Sequence, residues 1–306
     1  MTNVFQYFLI LVPGAVWGAS FIVTRLILPH MPPLTIGFAR TLISAIFLLT
    51  ILSVMGGRVH RDWREWRAIA VLSVCNTTAF VASAWGQLFI TGGLATILAA
   101  TIPFFTLIVA HFATDDDKIN RWRSLGIAMG LIGVIILVGV GALAELGASL
   151  KGQFALLFSS LCYGFGGVLT RFLLARQPVE ESSSIPRLRV MAMQFTTGMV
   201  LLTPFMLVID RPWTLDIPVE VFGYLLFLGI GVTTFATMIF YYLTQTLGAT
   251  TTSRTMYIIP ISGVALGVWI LGEEVTWTMP IALRFIFGGV WMISRPSPFA
   301  ADYRAQ

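Results

Sequence analysis

Three arginines fall inside long apolar runs of this sequence: Arg40, Arg254 and Arg284. A guanidinium at membrane depth costs about 2.5–3.5 kcal/mol on insertion scales, so each needs a physical reason. Arg40 and Arg254 lie about one and a half turns inside their runs, roughly 9 Å at 1.5 Å per residue. Two readings stay open for both: the side chain snorkels to the interface, or it faces a polar cavity and attracts an anion. Arg284 stands mid-run with no acid beside it, so it should point at another helix or at water. Arg25 and Arg171 sit near the exit ends of their runs, where they can snorkel and face the negative end of a helix. Acids are absent from the same segments, for Glu145, Asp210, Glu220 and Glu273 all stand at edges. His111 is the only histidine within a run and reads as structural. Cys75 and Cys162 lie in apolar stretches as small hydrophobes. No nucleophile, acid–base or metal set converges, so the residues predict no catalysis, no metal site and no cofactor.

The elements that position these side chains follow from composition. Of 306 residues, 57% are hydrophobic and 11% charged, with mean hydropathy +0.87, against about 25% charged in a soluble domain. The chain is therefore read as an all-α integral membrane protein with the lipid bilayer as its solvent. A net charge of +5 could suit nucleic acid, but the basic residues punctuate apolar runs rather than forming a face, which excludes that partner class. Ten apolar segments are expected, at 4–27, 34–54, 68–90, 94–112, 124–144, 151–174, 188–209, 219–243, 249–271 and 277–293. Ten spans of about 20 residues leave no room for a soluble catalytic domain. The first segment lacks a basic n-region and runs into a second apolar hairpin, so it reads as a mature helix rather than a signal peptide.

Orientation follows from the retention of lysine and arginine on the cytoplasmic side. With the N-terminus inside, that side receives Arg58, Arg61, Arg64, Arg67, Lys118, Arg121, Arg123, Arg176, Arg187, Arg295 and Arg304. The opposite side receives only Lys151 and Arg211. Both termini are expected in the cytoplasm and the connection near Gly92 outside it.

The halves repeat. Trp17-Gly18-Ala19-Ser20-Phe21-Ile22-Val23-Thr24-Arg25 aligns with Tyr163-Gly164-Phe165-Gly166-Gly167-Val168-Leu169-Thr170-Arg171 at an offset of 146. Pro103 aligns with Pro260, and Asp116-Asp117 with Glu273-Glu274, at an offset of 157; the difference fits the polar stretch Pro178 to Pro186. Residues 1–147 form the first five-helix repeat and 148–306 the second, with a cytoplasmic tail. Because five is odd, the second enters the membrane upside down, the inverted architecture that recurs in alternating-access transporters. Glycine pairs at Gly14/Gly18, Gly126/Gly130 and Gly263/Gly267 read as close helix packing.

These features together resemble the ten-helix EamA-type branch of the drug/metabolite transporter superfamily. The likeness rests on Trp17-Gly18-Ala19-Ser20-Phe21, Phe38-Ala39-Arg40, the prolines of spans four and nine, Leu271-Gly272-Glu273-Glu274 and Gly288-Gly289-Val290-Trp291, and it covers about residues 5 to 295. Two departures are Asp115-Asp116-Asp117-Lys118, where a Gly-Glu pair is usual, and Arg284, where a small or apolar residue is usual. The resemblance implies export of small metabolites, amino acids or drug-like compounds, from the inner (plasma) membrane. It also implies a central cavity lined by spans 1, 3, 4, 6, 8 and 9. On those spans the repeat selects Trp17 with Tyr163, Thr78 with Thr234, and Thr101 with Tyr257 as substrate-binding candidates beside Arg40. Pro103 and Pro260 are candidates for a hinge or cavity role, or for plain kinks. Aromatic faces with a few hydroxyls suit a mostly apolar pocket, although the same residues also serve ordinary bundle packing.

The reading reached is an exporter of amino acids or related carboxylates by alternating access, as uniport or exchange rather than with protons, because intramembrane carboxylate relays are lacking. A monomer suffices for it. The alternatives are a multidrug-type exporter of the same fold and a membrane-embedded enzyme acting on lipid-linked substrates.

Overall fold

A computed structural model describes residues 4–59, 63–113, 119–142, 148–175, 185–247 and 255–293. Among these the chain is helical, with no strand. In a bilayer every backbone polar group must be satisfied within the segment, and uninterrupted apolar runs meet that demand only as helices. The first half forms α1 (Val4–Ile27), α2 (Pro33–Val54), α3 (Trp63–Gly86), α4 (Gly92–Ala99), α5 (Ile102–Ala113) and α6 (Arg121–Ala142). The second forms α7 (Ala148–Ala175), α8 (Ile185–Phe205), α9 (Val219–Leu226), α10 (Thr237–Leu247), α11 (Thr255–Leu271) and α12 (Thr278–Ile293). Seven stretches of the described residues are long and apolar enough to cross a membrane. Helices α11 and α12 are apolar but have only 17 and 16 residues, about 25 Å of rise against a hydrocarbon core of about 30 Å. Arg254, the Asp115–Lys118 run, Glu145 and both chain ends lie outside the described residues.

Three segments depart from the expected single helices. The fourth run is two helices, because the Pro103 ring lacks an N–H and would meet the carbonyl four residues back. Helix α4 stops at Ala99, and the Thr101 hydroxyl donates to the Leu98 carbonyl at 2.6 Å. Pro103 therefore sits in the first turn of α5, while its repeat mate Pro260 is buried inside continuous α11. The eighth run widens into a π-helical stretch, Phe227–Ala236, between α9 and α10. There the Thr233 and Thr234 hydroxyls donate five residues back, to Leu228 and Gly229 carbonyls at 2.7 and 3.0 Å. A shorter π turn, Met206–Asp210, follows α8 and ends at Arg211, whose φ of 49° turns the chain. Arg284 is exposed on α12, so of the two expected directions, another helix or water, the first is not the one taken. Side chains lean toward the helix N-terminus, which carries its guanidinium toward the Thr278 end.

The most extensive helix contacts all join the two halves: α6 with α12, α3 with α7, α1 with α11, α2 with α8, α5 with α7, and α4 with α11. Exchanging first-half elements for second-half ones leaves that set nearly unchanged. Lipid supplies no hydrophobic drive between helices, so close approach of small residues carries these joints. A Cβ on Gly18 would lie 2.5 Å from the Ile259 carbonyl and 2.9 Å from the Gly263 nitrogen. Gly86 and Gly152 likewise face each other's carbonyls, and Gly126 faces that of Gly289.

Two carboxylates of the second half cap helices of the first. The Gly92 and Gly93 N–H groups donate to the two oxygens of Glu273 at 2.6 and 2.7 Å, at the positive end of α4. Asp210 Oδ2 accepts from the Thr35 N–H and hydroxyl, both at 2.8 Å, in the first turn of α2. At the same end Arg25 donates to the Gln87 carbonyl, just past the last turn of α3.

Gly18→Val forces a side chain against backbone that cannot yield, so it should destabilise the folded protein by about 1–3 kcal/mol. Thermal unfolding in detergent checks this, with Gly167→Ala, at an open position, expected to unfold like the parent.

Candidate functional site

Arg40 is 9% exposed in the second turn of α2. Its Nε donates to the Thr233 hydroxyl at 3.0 Å, and its guanidinium carbon lies 4.0 Å from the centroid of Phe80 on α3. Thr233 can accept because its own proton goes to Leu228, and the π stretch is what turns Thr233 toward α2. The two segments meet tightly: a Cβ on Gly229 would lie 2.5 Å from Ile43, and Ser44 donates to the Gly229 carbonyl at 2.7 Å. Among the described residues no carboxylate pairs with Arg40. Its two Nη groups donate to no protein partner there and are not sealed from solvent. The cation–π contact is worth about 0.5–2 kcal/mol, less than an anion would supply at such depth.

Tyr163 meets Phe80 edge-on, with ring centroids 5.9 Å apart. It stands on the face of α7 opposite the exposed stripe of Phe154, Phe158, Phe165 and Phe172. One turn further along that inner face is Gly167, which is exposed although it points away from the stripe, and a Cβ there would meet nothing within 4 Å. Arg40 and Tyr163 thus flank Phe80, and the same side of α7 runs on to the open position at Gly167. The Tyr241 hydroxyl reaches Thr170 at 3.5 Å, and Tyr241, Phe240 and Trp17 form a second run of rings, Trp17 lying 5.1 Å from Phe240. A groove of about 260 Å³ on α10, lined by Leu9, Leu188, Phe235, Met238 and Tyr242 with Arg187, is nearly all apolar.

The structure thus brings Arg40 and Tyr163 together through Phe80 and sets Trp17 on a separate run of rings with Phe240 and Tyr241. The other candidates lie elsewhere. Thr234 is fully buried with its hydroxyl on Gly229, and Thr101 is buried with its hydroxyl on Leu98. Thr78 is half-buried two residues before Phe80, hence on a different face of α3. Tyr257 packs on Phe287 at 5.3 Å in the core between α4, α5, α7 and α12. Pro103 and Pro260 shape helices as described. His111 Nδ1 accepts from the Ile119 N–H at 3.1 Å, a turn-closing contact. Sequence reasoning missed Phe80, Thr233 and Gly167. Thr233 was adjacent to the residue selected, displaced by the wider turn. Gly167 had a signal, as a mid-run glycine with no partner at four-residue spacing.

Comparison with known proteins finds the model of the EamA-like transporter family matching twice, over residues 4–139 and 150–295. An uncharacterized transporter of Bacillus subtilis, YoaV, is 20% identical over 278 residues, 90% of this chain and 92% of that one. The uncharacterized inner membrane transporter YedA of Escherichia coli is 29% identical over 155 residues, about half of each chain. A probable amino-acid metabolite efflux pump of Salmonella typhimurium is 24% identical over 200 residues, 65% of this chain and 62% of that one. A crystal structure superposes over the whole of both chains with a TM-score of 0.66 at 16% identity, a likeness of fold.

Gly167→Leu should place its side chain in the open space on the inner face of α7, where a Cβ meets nothing within 4 Å. Its thermal stability should match the parent while solute flux in proteoliposomes falls by at least about tenfold; undiminished flux would move the solute path away from α7.

Proposed function

Because the chain belongs to the EamA-like transporter family, we propose that this multi-pass membrane protein exports small metabolites bearing a carboxylate, amino acids among them, across the inner membrane. One observation carries the reading: a buried arginine, stacked on Phe80 beside Tyr163, whose Nη groups make no hydrogen bond and meet no carboxylate among the described residues. An uncompensated cation in a low-dielectric site is costly, and a substrate carboxylate supplies two acceptors in the geometry a guanidinium fits. Phe80 and Tyr163 offer the apolar remainder of the substrate a surface. The name of the Salmonella relative agrees with this class of solute.

The proposed architecture is ten spans in two inverted repeats of five, residues 1–147 and 148–306, with both termini cytoplasmic. The two-fold match of the family and the exchange-symmetric contacts support it. In that orientation Glu273 on α4 and Asp210 on α2 tie the halves at the extracytoplasmic end, and transport requires those ends to part as the cytoplasmic ends close. Transport is uniport or exchange, for the described spans hold no carboxylate relay around Arg40.

Counterflow of a panel of amino acids and other carboxylates in proteoliposomes tests the function. For whichever carboxylate moves, Arg40→Gln should lower transport by about 10–100-fold, the worth of a charged hydrogen bond, and Arg40→Lys by less. An imposed pH gradient should leave the flux unchanged. Near-normal carboxylate transport by Arg40→Gln, or a preference for quaternary ammonium compounds, would sink the reading.

For orientation, a variant lacking Cys75 and Cys162 and carrying Glu274→Cys, an exposed position, should label from outside the cell with an impermeant maleimide, and one carrying Met55→Cys should not. The reverse pattern inverts the topology.

A further inference from the structure

Arg40 explains how a carboxylate is held; a second polar group beside the same rings bears on what else the substrate must carry. Asn76 lies on α3 four residues before Phe80, which places the two on one helix face about 6 Å apart along the axis. It is half-buried, and it packs on α7 just where Gly166 leaves room: a Cβ on Gly166 would stand 2.9 Å from Oδ1 and 3.4 Å from Nδ2. Gly166 in turn lies three residues from Tyr163, so the two contacts between these helices, Asn76 on Gly166 and Phe80 on Tyr163, stack as successive rungs.

Polar side chains between membrane helices ordinarily hydrogen-bond to a neighbour. Those near Asn76 do so: the Ser73 hydroxyl meets the Ile69 and Gln194 carbonyls, and Thr77 meets the Ser73 carbonyl. Asn76 makes no such bond among the described residues, and its amide atoms are not sealed from solvent. The amide, packed on Gly166, lies on the face of α3 that also carries Phe80, and its Oδ1 is an acceptor with two lone pairs and no protein donor among the described residues. Arg40 can only donate, and among the described residues no carboxylate pairs with it. Asn76 Oδ1 and the Tyr163 hydroxyl are neutral acceptors on the two helices that meet at Phe80.

We propose that Asn76 accepts a hydrogen bond from the substrate's ammonium group while Arg40 holds its carboxylate, which makes the site selective for α-amino acids over plain carboxylates. This rests on the carboxylate reading above and adds a specificity-determining residue to it. A neutral acceptor for the ammonium also keeps the loaded site at the single positive charge of Arg40 with a zwitterion of no net charge.

The test is calorimetric binding to the purified full-length chain in detergent with L-leucine and 4-methylpentanoate, which share a carbon skeleton and differ in the amino group. The parent should bind leucine about tenfold more tightly or better. Asn76→Ala should bring leucine down to the affinity of 4-methylpentanoate and leave the latter within about twofold of its parent value. Asn76→Asp, which keeps an acceptor, should retain the preference for leucine. Arg40→Gln should weaken both ligands together. Equal binding of the two ligands by the parent, no binding of leucine, or equal weakening of both by Asn76→Ala would each overturn the role of Asn76. If Arg40→Gln leaves both affinities unchanged, it is the carboxylate reading that fails, whatever Asn76 does. Melting temperatures of all variants separate misfolding from lost recognition.

Discussion

Backbone-to-backbone approach at glycines is the constraint on which the rest of the bundle depends. Lipid tails are as apolar as leucine, so burying leucine between membrane helices gains little, and cohesion comes from contact density and interhelical hydrogen bonds. The joints made by Gly18 against α11, Gly86 against Gly152 and Gly126 against Gly289 all run from one half of the chain to the other. Each half is thereby built to pack on its counterpart more than on itself. That is the arrangement a machine with two alternative closures needs, since the moving surfaces and the cohesive surfaces are the same.

Around Arg40 the contacts are of a different kind. Its neighbours are a ring face and a threonine hydroxyl borrowed from a widened turn. A guanidinium so placed is held in position by weak contacts while its charge remains unmatched. An anion reaching it would remove a desolvation cost already present in the protein, and the described residues set no acid beside it to compete.

Much of this was legible in the residues. Apolar run length gave the helices, and Arg40 announced itself as a charge where charges are costly. The glycine spacings marked joints that the structure does make. What could not be read depends on tertiary contact. The π stretch arises where Ser44 and Thr234 converge on the Gly229 carbonyl, and it turns Thr233 rather than Thr234 toward Arg40. Pro103 and Pro260 have the same local chemistry, yet the first opens a new helix and the second lies inside a continuous one, a difference that depends on surroundings the sequence does not display. For Arg284 the sequence left another helix or water open, and only its exposure in the folded chain sets the helix aside.

The carboxylate of Glu273 occupies a notch bounded by Gly92, Gly93 and Gly267, where a Cβ on Gly267 would come within 2.6 Å of Oε2. The chain turns into that position through Gly272 at a φ of 65°. Five residues, some separated by 181 positions, therefore form one unit of heredity. A side chain gained at Gly92, Gly93 or Gly267 crowds the acid, one at Gly272 strains the turn that delivers it, and loss of the acid leaves two amide protons bare. In the language of genetics the positions are epistatic: drift at one is tolerated only after the others have changed, so this corner of the protein is expected to evolve in jumps rather than by single steps.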